Sequence, residues 1–165
     1  MGFLKCAVYA AAIGFLSFLL GRVLPRSWFR ENSFLFKTRP WEKNGAIYNT
    51  VFKIKTWQAK VPDMSRYFSK IMPAKKITAD FPEVLPRMIT ETCIAEGIHW
   101  LLCLGAPAFL WLWPGRGGIL FMTAYILLGN LPFILIQRYN RPRFVRLREK
   151  LARKGERKET TSCQL

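Results

Sequence analysis

The sequence predicts an all-α integral membrane fold: three transmembrane helices and a basic, aromatic-rich cytoplasmic loop carrying interfacial helices. Three observations predict it. The chain of 165 residues is 51% hydrophobic and 15% aromatic, yet its formal net charge is +16. The apolar residues are gathered in three blocks, each close to the ~20 residues that a helix needs to cross a hydrocarbon core. The cations avoid those blocks: of the 26 Lys and Arg, all but Lys5, Arg22 and Arg116 lie between 25 and 93 or after 136.

The first block, 3–24, is broken only by Lys5, Ser17 and Arg22. Its apolar run exceeds a signal-peptide core, its charged start is weak, and no small-x-small cleavage site precedes Arg22, so it reads as a retained span. The second block, 94–113, is apolar apart from Glu96 and His99, and the third, 117–136, has no charge. Lipid offers no partners to backbone polar groups, so all three read as helices. The short turn 114–118 makes the last two an antiparallel hairpin. The positive-inside rule then places the loop 25–93 and the tail 137–165 in the cytoplasm, and the turn and N-terminus outside. The whole chain reads as one membrane domain.

The loop mixes Trp28, Phe29, Phe34, Phe36, Trp41, Tyr48, Phe52, Trp57, Tyr67 and Phe68 with lysines and arginines, a composition suited to the membrane interface. Ile47, Tyr48, Val51, Phe52 and Ile54 keep helical spacing and predict a short helix on the bilayer, although 52–56 also alternates as a strand does. Pro62, Pro73, Pro82 and Pro86 divide the rest of the loop into short pieces. The basic tail reads as an orientation signal that touches anionic lipid, and no nucleic-acid partner is expected. Cys6, Cys93, Cys103 and Cys163 form no C-x-x-C pair and no zinc spacing, and read as small apolar fillers and a free tail thiol.

Candidate chemistry begins at Glu91, Glu96 and His99, since ionisable groups at the edge of a span are costly. His99 is the only histidine. Thr92, Glu96 and His99 are spaced i, i+4, i+7 and share one helical face. A carboxylate on one imidazole nitrogen leaves the other free as a general base for a hydroxyl, so Glu96 is expected to orient His99. From spacing alone, the pair serves equally as an interfacial polar pair that only satisfies its own hydrogen bonds. Glu-x-x-His is also half of a di-iron motif, but one histidine cannot supply the second half, so no metal is expected.

In the hairpin, residues at equal depth have numbers that sum to about 231, given a shared helical rise. His99 then lies level with Pro132, Asn130 with Leu101, and Arg138 near Cys93 and Thr92. Gly129-Asn-Leu-Pro132 and Gly105-Ala-Pro107 would loosen their helices and free carbonyls for a ligand or a partner helix. The string Gln137-Arg138-Tyr139-Asn140-Arg141-Pro142-Arg143 leaves the third block directly. A stop-transfer cluster explains its arginines well and Gln137 and Asn140 poorly.

Taken together, these strings resemble the glycosyl-4,4'-diaponeurosporenoate acyltransferases, small bacterial membrane proteins of staphyloxanthin-type carotenoid synthesis. The resemblance runs from about Phe29 to Arg157. It rests on Glu42-Lys43-x-Gly45, then Asn49, Phe52, Trp57, Lys60 and Asp63. Glu91-Thr92, Ala95-Glu96, Ile98-His99-Trp100, Asn130-x-Pro132, the ungapped string 137–143 and Gly155-Glu156-Arg157 complete it. The His-Trp and Gln-Arg-Tyr-Asn-Arg-Pro-Arg strings are specific together. The resemblance implies transfer of a fatty acyl group to a sugar hydroxyl of a glycosylated C30 carotenoid acid or similar glycolipid. The chain lacks the His-x-x-x-x-Asp motif of glycerolipid acyltransferases, with Leu104 at the acidic position, and has no Gly-x-Ser-x-Gly elbow.

Each candidate residue then has an expected role. His99 deprotonates the acceptor hydroxyl, Glu96 orients it, and Glu91 pairs with Arg138 or Arg141 to fix the hairpin. Arg138, Arg141 and Arg143 hold the phosphates of an acyl-CoA or another anionic donor. Tyr139 and Asn140 donate to the developing oxyanion. Asn130, Gln137, Trp100, Trp57 and Lys60 complete the substrate-binding set. The acyl donor is a co-substrate and no cofactor is expected. Membrane lipids and the amphipathic acceptor are the expected partners in a bacterial cell membrane. A non-catalytic membrane scaffold for other enzymes of a lipid or carotenoid pathway is the alternative.

Overall fold

The structure is a computed structural model that describes residues 1–61 and 81–162, with side chains over 1–61 and 84–153. The breaks expected at Pro62 and Pro73, Tyr67 and Phe68 of the aromatic loop, Asp63 of the family strings, the tail thiol Cys163 and the side chains of 155–157 lie outside it. The described residues are helical, with no strand among them. Three helical segments are long and apolar enough to cross a membrane, over Gly2–Val23, Val84–Leu112 and Arg116–Arg153.

The first span is α1, Gly2–Val23, about 33 Å at the rise of an α-helix. Phe3, Leu4, Val8, Phe15, Leu16 and Leu20 are exposed on it, as befits a helix that is apolar all round. Its packed side places Cys6, Tyr9 and Ala10 against Ala106 and Phe109 of the second span. Gly2 lies against Trp113 and Gly21 against Ile94 and Ile98, so α1 runs antiparallel to the second span.

The loop then folds back over the end of the bundle. Two short helices, α2 (Ala46–Phe52) and α3 (Ile54–Trp57), stand where a helix or a strand was open, and the strand does not form. Lys53 at φ 49° separates them. Before α2 the chain turns through three positive φ angles, at Lys43, Asn44 and Gly45. At Gly45 a Cβ would stand 3.0 Å from the Tyr139 carbonyl oxygen, so glycine is needed both for its φ of 85° and for the close approach.

The second span begins earlier than the apolar block suggests. Helix α4 covers Phe81–Gly105, with Pro86 inside it, so the loop that was expected to run to 93 ends a dozen residues sooner. The physical reason is the spacing of Leu85, Met88, Ile89 and Cys93, all buried. Leu85 and Met88 pack on Phe144, Leu147 and Leu151 of the last helix. That burial offsets the single backbone bond that proline removes. Helix α4 ends at Gly105, and α5 (Ala108–Leu112) resumes after Pro107. The Tyr9 hydroxyl of α1 donates to the freed Gly105 carbonyl at 3.1 Å, so a partner helix takes the carbonyl.

Gly115, at φ 91°, turns the chain into α6, Arg116–Ala124. The third span then widens to a π-helix over Tyr125–Asn130 and continues as α7, Leu131–Ser162. In an α-helix the Pro132 ring would meet the carbonyl four residues back, and a wide turn relieves that clash. The tail expected from 137 onward is therefore the far end of this helix, extended past Pro142. Its apolar residues Phe144, Leu147 and Leu151 keep helical spacing against α4.

Candidate functional site

Two polar layers meet where α4 and α7 cross beneath the loop. The outer layer is a closed ionic network centred on Glu96, whose side chain is fully buried. Arg138 Nε donates to Glu96 Oε1 at 2.6 Å, and Trp100 Nε1 donates to the same oxygen at 3.3 Å. Arg141 donates to Glu96 Oε2 through Nη2. The remaining nitrogens of both arginines are also engaged. Arg138 reaches Glu42 Oε1 at 2.9 Å and the Leu35 carbonyl at 2.5 Å. Arg141 reaches Thr92 Oγ1 at 3.0 Å, the Phe36 carbonyl at 2.7 Å and the Thr92 carbonyl at 3.1 Å. Two buried carboxylates thus face two guanidinium groups, and the loop is pinned to the helical hairpin through them. A buried pair stands only when further hydrogen bonds satisfy the remaining groups; here every guanidinium nitrogen is engaged, and Glu42 Oε2 alone is buried without a hydrogen bond among the described atoms of the network.

Three sequence expectations change at this layer. Glu96 does not orient His99, because both its oxygens are taken by Arg138, Arg141 and Trp100. Glu91 pairs with neither Arg138 nor Arg141. It lies at the surface with Arg26 at 3.3 Å and Arg87 at 3.9 Å, tying the start of the loop to α4. Arg138 and Arg141, expected to hold phosphates, have every guanidinium nitrogen hydrogen-bonded inside the protein. The depth rule holds to within about a turn. Arg138 and Arg141 meet Glu96 and Thr92 because long side chains on a helix lean toward its N-terminus, here toward the bundle.

The inner layer lies one helical turn deeper. His99 Nδ1 bonds Asn130 Oδ1 at 2.9 Å, and its ring stacks on Phe133 with centroids 4.6 Å apart and planes at 8°. Asn130 and Phe133 bracket Pro132, the residue expected level with His99. Asn130 is 1% exposed, and its Nδ2 donates to the Tyr125 carbonyl at 2.9 Å. Among the described residues nothing bonds His99 Nε2.

The other candidates are spread around these layers. Trp100 is exposed beside His99. Tyr139 is buried with Tyr48 and Ile54, with Trp57 packed against them. The Arg143 guanidinium sits 4.7 Å over the Tyr139 ring and points out of the bundle. Gln137 and Asn140 are half-buried and make no side-chain hydrogen bond among the described residues. Lys60 is exposed on the loop, away from the bundle core. No group of three or more His, Cys, Asp or Glu side chains suited to a metal occurs among the described residues.

Sequence reasoning missed Glu42 as a site residue. It is 1% exposed, and its Oε1 accepts both the Arg39 backbone N–H and Arg138. The available signal was its setting: between 25 and 61 only Glu31 and Glu42 are acidic. Beside it, burial and the Glu42 carboxylate push the Tyr48 phenol far above its ordinary range. Phe133 and the Tyr125 carbonyl carried no sequence signal, because a stacking ring and a freed backbone oxygen exist only once the helices cross.

The profile of the glycosyl-4,4'-diaponeurosporenoate acyltransferase family matches residues 25–150. The chain belongs to this family. A relative of that name from Staphylococcus aureus strain Newman is 32% identical over 152 residues, covering 92% of this chain and 91% of its own. One from strain N315 is 31% identical over the same length and coverage. No solved structure matches the chain. The matched segment contains both polar layers, the loop residues pinned to them and the helical hairpin as far as residue 150.

Proposed function

We propose that this chain is an integral membrane O-acyltransferase that moves a fatty acyl group onto a sugar hydroxyl of a glycosylated C30 carotenoid acid or a similar glycolipid. Family membership supports the reaction, and the relatives' names state the glycosylated acceptor. The observation that carries the mechanism is His99 held at Nδ1 by Asn130, with Nε2 unbonded among the described residues, inside the bundle beside an exposed Trp100. An imidazole in that setting takes the proton of the acceptor hydroxyl as its oxygen attacks the acyl carbonyl. The new ester C–O bond forms, the bond from acyl to leaving group breaks, and the imidazolium returns its proton to the leaving group.

The ionic layer supplies rigidity in this reading. Glu96, Arg138 and Arg141 set the crossing of α4 and α7, and with it the distance between His99 and its partners. Glu91 serves the loop from the surface. Gln137 comes four residues after Phe133, so it shares the face that carries the ring stacked on His99. It is placed to bond the acceptor sugar or the developing oxyanion, with Asn140 and Tyr139 nearer the loop. Arg143 and Lys60, whose charges reach solvent, attract the phosphates of an acyl-CoA or another anionic donor. Trp57 and Trp100 offer aromatic contact to the acceptor, and its long apolar tail stays in the bilayer.

The basic loop and tail support a site at the cytoplasmic leaflet of a bacterial cell membrane. The test is turnover by purified protein in lipid nanodiscs, with acyl-CoA and a glycosylated carotenoid acceptor, read by mass spectrometry. Wild type should form the ester, and His99→Ala should lose about 10²–10⁴-fold in kcat at equal protein level. Full turnover by His99→Ala would retire the catalytic histidine. No turnover by wild type, together with loss of pathway product on deletion in cells, would favour the scaffold.

A further inference from the structure

The geometry points to Asn130 as a positioning residue that fixes the tautomer of His99, set in place by the π-helix around it. This rests on the reading of His99 as the base and deepens it. The wide turn decides where Asn130 faces. Tyr125 packs inward; four residues on, where an unbroken α-helix would face inward again, Gly129 is exposed, whereas Asn130, five residues on, is 1% exposed. The Leu131 backbone N–H bonds the Ile126 carbonyl, five residues back. One extra residue in a turn rotates the rest of the helix by about 100° relative to an unbroken α-helix. The rotation brings Asn130 rather than Gly129 into the helical hairpin.

Once inside, the amide has no freedom. Its Nδ2 donates to the Tyr125 carbonyl at 2.9 Å, and its Oδ1 lies 2.9 Å from His99 Nδ1. The flipped amide would set Oδ1 against that carbonyl, two acceptors face to face, so hydrogen-bond logic excludes it. Oδ1 can only accept, and His99 Nδ1 must therefore carry the proton. The lone pair of the neutral ring is then on Nε2, the nitrogen without a partner among the described residues. Stacking on Phe133 holds the ring plane, and Asn130 decides which nitrogen is the base. A backbone carbonyl thus selects the protonation state of a side chain on another helix.

His99 is the only histidine, so its ring nitrogens give an unambiguous signal in protein labelled with ¹⁵N-imidazole histidine. The experiment is ¹⁵N NMR of the full chain in bilayers at about pH 8, above the ordinary imidazole range. It is paired with kcat and KM for wild type, Asn130→Leu, Asn130→Asp and His99→Ala. Wild type should show a single tautomer with Nδ1 protonated and Nε2 bare. Asn130→Leu removes both amide contacts at similar volume, and the opposite tautomer should appear. Its kcat should fall about 10–100-fold with KM within about twofold, as for a misplaced catalytic group. Asn130→Asp, protonated on the oxygen that faces the Tyr125 carbonyl, keeps both contacts and should restore the wild-type tautomer and most of kcat.

A wild-type ring protonated at Nε2, or an unchanged tautomer and kcat in Asn130→Leu, would overturn the assignment. If Asn130→Leu fails to fold, the wild-type tautomer and the Asn130→Asp rescue still decide it. Full kcat in Asn130→Leu with a dead His99→Ala would sink this inference alone. An active His99→Ala would sink the reading beneath it.

Discussion

Replacing Glu96 by glutamine separates the two polar layers. The substitution keeps the shape and removes one negative charge from a site that is fully buried. Arg138 then keeps Glu42 as its carboxylate partner, Arg141 keeps only neutral acceptors among the described residues, and the new amide points two hydrogens into a cluster of donors. Whichever way the amide turns, one arginine loses its acceptor, a hydrogen bond worth about 1.5–3 kcal/mol, and the other faces a neutral oxygen. Breaking a buried pair from one side costs about 3–5 kcal/mol by the same reasoning. For a chain of this length a loss of about 3–5 kcal/mol corresponds to a fall in Tm of roughly 6–20 °C. The assay is thermal unfolding of purified protein in detergent or nanodiscs, with kcat measured well below the lowered Tm. No hydrogen bond links Glu96 to His99 among the described residues, so kcat should stay within a few-fold of wild type. An unchanged Tm with a thousandfold loss of kcat would refute this division of labour and return Glu96 to the chemistry.

Two further perturbations probe the loop. Gly45→Ala places a Cβ at φ 85°, 3.0 Å from the Tyr139 carbonyl. A left-handed alanine costs about 1–2 kcal/mol before the close approach is counted, and a drop in Tm of that order should be seen. Glu31 pairs with Arg148 at 2.9 Å. Burial pulls its carboxyl upward, but its own backbone N–H and Arg148 outweigh this and hold it below its usual value of 4.5. The pair stabilises above that ordinary value and is lost as pH falls through the lower folded one. Both side chains are partly exposed, so the gap in stability between wild type and Glu31→Gln should be under about 1 kcal/mol near pH 7. It should close in acid and shrink with salt, which thermal scans across pH and ionic strength can track.

Fold class was legible in the sequence, because block length and charge placement are one-dimensional. Twenty apolar residues without a charge have one stable state in lipid, and no tertiary contact is needed to read it. The polar residues of the second and third spans also came to one depth on paper, since a short turn and a fixed rise per residue leave little choice. The family strings marked His99, Asn130 and the 137–143 run together. The ends of the helices were not legible: Pro86 and Pro142 look like breaks until Leu85, Met88, Phe144, Leu147 and Leu151 are seen packed against each other.

Partner choice within the polar layers emerged only when the helices and loop came together. Glu96 lies three residues from His99 and is its natural partner on an isolated helix. Two arginines from another helix offer that carboxylate full charge, which an imidazole hydrogen bond does not match. Glu42, far away in sequence, closes the network because the loop folds back over the bundle. His99 then turns to Asn130, which a π-turn has rotated inward. Spacing along one helix describes what can meet, and competition among all the donors and acceptors in a low-dielectric interior settles what does.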